Sequence, residues 1–245
     1  MKAMLFAAGL GTRLRPLTND RPKALVHADG TPLLGHALAH LEAHGCTTVV
    51  VNVHHFADQV ESYLESYATD MKLYVSDERS QLLETGGGLL KARPYLEGDA
   101  PFLVYNTDIV TDLDLTAFYR HHLQHDALAT LAVRRRDTSR YLLYDEAMTL
   151  HGWAHMPERR FKVKRLPGGE LHAWAFSGLH VVSPGIFELF EQEGRFSITS
   201  TYLRLCAAER ILGYAHDSTA WYDAGKPHTL QAATTWLQHK SRPPR

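Results

Sequence analysis

The chain has 245 residues, 44% hydrophobic and 22% charged, an ordinary balance for a globular protein able to bury a sizeable core. Lys+Arg number 26 and Asp+Glu 27, so the net charge of -1 speaks against nucleic acid or a membrane surface as the main partner. Two cysteines, Cys46 and Cys206, are too few for a disulfide framework and read as core packing; no run reaches the ~20 apolar residues that span a bilayer, and a cytoplasmic location is expected.

Lys2 to Ala7 reads as a short buried strand, broken by Ala8-Gly9-Leu10-Gly11. Small residues there let backbone N–H groups approach a polyphosphate, and Arg13, Arg15 and Lys23 add cations around the loop. No Gly-Lys-Ser/Thr closes a Walker A loop, and Leu14 stands where the dinucleotide fingerprint needs its third glycine. A tight surface turn with solvated arginines is the alternative reading. Asp29-Gly30 marks a turn, and Pro32 begins a helix that carries Leu33, Leu34, Ala37, Leu38 and Leu41 to a stop at Gly45. His36, His40 and His44 share one face of it; a zinc site there would want a carboxylate or cysteine to complete it, and a solvated or pH-sensitive face is expected. Thr47–Val53 as strand, Phe56–Tyr67 as amphipathic helix and Met71–Ser76 as strand complete a doubly wound α/β pattern. Ligands of such sheets bind at the carboxyl ends of the strands, where Gly9 to Arg13 falls.

Glu84-Thr85-Gly86-Gly87-Gly88 opens a short helix whose glycines admit a close neighbour or form a hinge. A strand from Phe102 to Tyr105 ends in Asn106-Thr107-Asp108, and a carboxylate at that strand end suits a divalent cation; Asp112 is a second candidate. Asp114 reads as the cap of a helix over Leu115–Gln124. Leu128–Val133 is strand, Arg134-Arg135-Arg136 reads as solvated surface, and Tyr141–Tyr144 with Thr149–Ala154 forms a hairpin around Asp145-Glu146. Residues 156–174 show little periodicity beyond a turn at Pro167-Gly168-Gly169. A helix from Ser183-Pro184 through Phe190, a second helix within Phe196–Leu212 and a short strand Tyr214–His216 follow. Asp223, in Trp221-Tyr222-Asp223-Ala224-Gly225-Lys226-Pro227, is readable as a cap for a helix starting near Pro227, and 241–245 as a disordered tail.

The string Gly9-Leu10-Gly11-Thr12-Arg13-Leu14-Arg15-Pro16-Leu17-Thr18, with Pro22-Lys23, closely resembles the signature of the sugar-1-phosphate nucleotidylyltransferases. The triple glycine, Asp108, Gly178 and the Trp221–Pro227 element follow in family order, so the resemblance covers nearly the whole chain. It implies a Rossmann-like doubly wound mixed sheet of the nucleotide-diphospho-sugar transferase (GT-A-like) kind. One catalytic domain over 1–240 is expected, with a nucleotide part at 1–133, a small β subregion for the sugar within 134–225 and a C-terminal helix at 226–240. The implied reaction joins an NTP and a sugar 1-phosphate to give an NDP-sugar and pyrophosphate. On this resemblance Ala8, Gly9, Gly11, Thr12 and Arg13 hold the triphosphate, and Glu84, Thr85, Gly86 and Gly87 contact the nucleotide base. Arg13 neutralises the leaving phosphates, Lys23 bridges the α-phosphate and the sugar phosphate, Asn106 and Gly178 lie on the sugar side, and Asp108 with Asp223 holds Mg²⁺. The family's Glu-Lys pair for the sugar phosphate has no clean match, with Lys162 and Lys164 the candidates. The Glu-Thr-Gly-Gly-Gly form is similar to the branch that uses UTP and N-acetylmuramic acid 1-phosphate. GTP with mannose or heptose 1-phosphate is the second expectation and phosphocholine cytidylyl transfer a third. A GT-A glycosyltransferase and a non-catalytic nucleotide-sugar sensor are the rival classes, and a monomer or small homo-oligomer is expected.

Overall fold

Alternation within the first strand decides the architecture. In β1 (Lys2–Phe6), Ala3 and Leu5 point into one apolar cluster and Met4 into another, so the strand is covered on both faces as an interior parallel strand must be. The structure, a computed structural model, describes residues 1–164 and 168–240. The turn expected at Pro167 and the tail expected at 241–245 lie outside the described residues.

The chain continues through a short ribbon, β2 (His27–Ala28) and β3 (Thr31–Pro32), into α1 (Leu33–Ala43). There follow β4 (Thr48–Val53), α2 (Ala57–Ser66), β5 (Lys72–Asp77), α3 (Glu84–Lys91) and α4 (Arg93–Leu96). Next come β6 (Phe102–Asn106), β7 (Ile109–Thr111), α5 (Leu115–Gln124) and β8 (Ala129–Arg134). The second half holds β9 (Arg140–Tyr144), β10 (Leu150–His155), β11 (Arg160–Val163), β12 (His172–Val182), α6 (Ile198–Leu205), β13 (Ile211–Ala215), β14 (Trp221–Asp223) and α7 (Pro227–Lys240). Strands β5, β4, β1 and β6 lie side by side and parallel, with Phe6 in register with both Asn52 and Asn106. Their carboxyl ends therefore share one edge. β12 runs antiparallel to β6, β8 antiparallel to β12, and β13 parallel to β8, which makes the sheet mixed. The long β12 also pairs at its start with β9, which carries β10 and β11 outward as a meander.

Helices cover both faces. α1 packs Leu34, Ala37, Leu38 and Leu41 against Leu5, Val49, Val51 and Leu103, while α3 and α6 bring Leu89, Ile198, Tyr202 and Leu205 onto Met4, Val50 and Val104. A third cluster, including Leu14, Val26, Val110, Ala224 and Leu230, ties the N-terminal loop to α7. Asp114 caps α5 as expected, its Oδ1 accepting the Ala117 N–H at 2.9 Å.

Four expectations change. The helix expected through Leu212 stops at Leu205, because Ile211 and Leu212 extend to pair with Ala129 and Thr130 of β8. Ser183 to Phe190 is no α-helix but a 3-10 turn over Pro184–Leu189. β11 is an added strand: Arg160-Phe161-Lys162-Val163 alternates polar and apolar, but four residues are too short a run to stand out in a stretch with little wider periodicity. The basic triplet is not simply solvated: the Arg135 guanidinium lies 5.1 Å from the Trp174 ring centre, and Arg134 and Arg136 lie 5.6 and 4.8 Å from that of Trp221.

Candidate active site

The carboxyl ends of β1, β4 and β6 open into a cleft of about 380 Å³ whose lining includes Ala8, Gly9, Lys23, Asn106 and Asp108. Thr107 locks two of these ends together, its hydroxyl donating to Phe6 O at 2.8 Å. Gly11 turns the loop in the left-handed region at φ 65, where a Cβ would lie 3.0 Å from both Lys23 and Thr18 atoms. Thr12 begins the 3-10 turn Thr12–Leu14 that aims Arg13 back toward the strand ends.

Lys23 Nζ donates to Asp108 Oδ2 at 2.7 Å, with both side chains mostly shielded from solvent. Asp223 arrives from the far end of the chain. β14 pairs antiparallel with β7, placing Asp223 opposite Ile109, and the Ala224 N–H donates to Asp108 O at 2.8 Å. Where a Cβ at Gly225 would stand, Asp223 Oδ1 is 2.7 Å away, Arg13 Nη2 2.8 Å and Asp108 Oδ2 3.1 Å. Arg13, Asp108 and Asp223 thus crowd against Gly225, where a side chain would clash, and Lys23 joins them through its bond to Asp108. Asp112 is not part of it; its Oδ1 accepts the Ala220 N–H at 2.8 Å and trims the loop before β14.

The chemistry of this donor set fits a hard divalent cation. Two carboxylates meet beside Gly225, and among the described residues no group of three or more His, Cys, Asp or Glu forms a closed cage. Mg²⁺ takes one or two carboxylates and fills its remaining positions with water and phosphate oxygens.

Glu84 and Thr85 line the same cleft, but Gly86 and Gly87 face the protein itself. A Cβ on Gly86 would strike the Phe196 ring at 2.3 Å, and one on Gly87 would strike the Gly194 carbonyl. The Thr85 hydroxyl accepts the Ile198 N–H at 3.0 Å, and Glu84 Oε1 accepts from Arg195 Nε at 2.8 Å. Gly178, at φ 82, lies beside Asn106: its missing Cβ would come within 2.9 Å of Asn106 Nδ2. Lys162 lines a neighbouring cleft, while the Lys164 N–H donates to His151 O at 2.8 Å.

Two buried polar residues were not singled out in the sequence. Asn52 Oδ1 accepts the Ala7 and Ala8 N–H groups at 2.7 and 3.3 Å, and its amide donates to Glu78 Oε1 at 2.7 Å. Glu78, fully buried, takes the Leu83 N–H on its other oxygen at 3.0 Å. This chain of bonds joins the phosphate loop to the glycine-rich helix. One asparagine inside a Val-rich strand was the available signal. The histidine face expected to be solvated is instead half-buried and bonded: His36 bonds Ala28 O, His40 bonds Leu113 O and the Tyr105 hydroxyl, and His44 bonds His40 O.

A glycine loop, two cations and two carboxylates at the carboxyl edge of a mixed α/β sheet suit transfer of a phosphate-linked group. Residues 2–240 match the nucleotidyl transferase family, and the chain belongs to it. N-acetylmuramate alpha-1-phosphate uridylyltransferases of Caulobacter vibrioides and Neisseria meningitidis are 37% and 32% identical to it, over 96% and 95% of this chain and 96% of each relative. Among solved structures, HddC from Yersinia pseudotuberculosis complexed with GMP-PN superposes with a TM-score of 0.77 at 23% identity, over 96% of this chain and 99% of that one. The fold is thus the Rossmann-like one of the NDP-sugar transferases. Among the described residues no helix is long and apolar enough to cross a membrane.

Proposed function

We propose that this chain joins UTP to N-acetylmuramic acid 1-phosphate, forming the UDP-sugar and pyrophosphate. The observation that carries the reading is the gathering of Arg13, Asp108 and Asp223 beside Gly225, with Lys23 bonded to Asp108. The choice of substrates rests on the two uridylyltransferase relatives and their near-complete coverage. Residues 1–133 hold the nucleotide and 134–225 the sugar, with Gly178 and Asn106 at the seam.

An oxygen of the sugar phosphate attacks the α-phosphorus in line, and the bond from that phosphorus to the bridging oxygen of the β-phosphate breaks. A phosphate is already nucleophilic, so the obstacle is repulsion between anions, and the chain works by positioning and neutralisation. Asn52 occupies the Ala7 and Ala8 N–H groups, so the triphosphate cradle begins at Gly9 and runs through Gly11 and Thr12. Arg13 takes charge from the departing β- and γ-phosphates. Lys23 moves from Asp108 to bridge the α-phosphate and the incoming phosphate. Asp108 and Asp223 hold Mg²⁺, which when bound neutralises phosphate charge. Glu84 and Thr85 border the base.

Pyrophosphate release across the four NTPs, crossed with several sugar 1-phosphates and phosphocholine, tests the reading. Strong release with UTP and N-acetylmuramic acid 1-phosphate is expected. Release confined to GTP with mannose or heptose 1-phosphate replaces the substrate assignment, and silence from every pair removes the activity.

A further inference from the structure

A second cleft, of about 550 Å³, adjoins the first and shares Glu84 and Ser197 with it. Its floor is a row across the outer meander. Leu142 of β9 is in register with Trp153 of β10, and Trp153 with Lys162 of β11, so the three side chains share one face of the sheet. Arg140 lies two residues before Leu142 and therefore on that same face. Opposite stands the start of α6, which contributes the hydroxyls of Thr199 and Ser200.

Charge distinguishes this cleft. Its one carboxylate, Glu84, is already paired with Arg195. Among the described residues neither Arg140 nor Lys162 has a carboxylate partner. Two unpaired cations beside an indole and a leucine make a wall that suits an anion borne on an apolar arm, and a neutral hexose would leave both charges unmatched.

We propose that this cleft is an anionic subsite in which Arg140 and Lys162 pair with a carboxylate carried by the sugar, the arm of that carboxylate lying against Trp153 and Leu142. The inference rests on the uridylyl-transfer reading and narrows it, since it makes the acidic substituent what separates this substrate from its neutral counterpart. It also gives Lys162 a different task from the sugar-phosphate contact first expected of it.

The test is steady-state kinetics with UTP and two acceptors, N-acetylmuramic acid 1-phosphate and N-acetylglucosamine 1-phosphate, which lacks the carboxylate arm. Wild-type protein is compared with Arg140→Gln, Lys162→Gln and the double variant, thermal melts confirming the fold of each. The ratio of kcat/KM between acidic and neutral acceptors is expected to fall by about tenfold or more in the double variant, mainly through KM for the acid. An unchanged ratio, whether both substrates slow together or neither does, overturns the subsite while leaving uridylyl transfer in place. Wild-type protein that turns over neither acceptor overturns both.

Discussion

Lys23 Nζ lies 2.7 Å from Asp108 Oδ2, so the cation assigned to bridge two phosphates is held in this structure by a carboxylate assigned to Mg²⁺. The two cations compete for one oxygen. Lys23→Ala is therefore expected to lower kcat by about 10²-fold or more, as loss of a phosphate-neutralising charge does. Affinity of the free protein for Mn²⁺, followed by electron paramagnetic resonance, is expected to hold or tighten in the same variant. Near-normal turnover, or weakened metal binding, would count against the assignment.

Gly225→Ala tests the crowding itself. The added methyl would stand within 3.1 Å of Asp108, Asp223 and Arg13 atoms. Turnover is expected to collapse at low Mg²⁺ and recover in part at high Mg²⁺, with little change in melting temperature. Recovery that does not depend on Mg²⁺ would show that the methyl acts elsewhere.

Asn52→Leu removes the acceptor for Ala7 and Ala8 and the donor for the buried Glu78. Orphaned buried groups make the loss about 2 kcal/mol or more of stability. Because the phosphate loop hangs from this amide, KM for the nucleotide is expected to rise beyond what unfolding explains. Denaturant titration alongside kinetics separates the two effects.

Three buried histidines and the half-buried His40 make stability pH-dependent. Burial, with like-charged neighbours adding to it at three of them, pushes His40, His122 and His216 down from 6.5 to about 4; burial alone takes His180 to about 3. Each folded value lies below the unfolded one, so between them the unfolded chain binds more protons. Their contribution is complete above about pH 6.5 and drains away as pH falls toward 4. The melting temperature is expected to drop steeply over that interval, and His122→Asn to flatten the slope. A flat profile between pH 6.5 and 4.5 would contradict the burial of these imidazoles.

The strand-end elements were readable because each is a local string: small residues after Phe6, acids after Tyr105, and Trp-Tyr-Asp before a proline. Asn52 and Glu78 were not, since a single polar residue has no spacing to betray it and only the tertiary partner explains it. The helix overrun at Leu212 has a similar origin, because Ile211 and Leu212 carry no local mark that β8 needs them extended. Gly86 and Gly87 make room for Phe196 and Gly194 of the chain itself, so a run that signals close approach does not say whose atoms approach.

The pairing of β14 with β7 ties activity to the order in which the chain is made. A ribosome-bound chain can already possess Gly9, Lys23 and Asp108, yet Asp223 reaches them only when β14 has emerged and docked on β7. A chain that has not yet reached Asp223 is therefore left with half of its carboxylate pair.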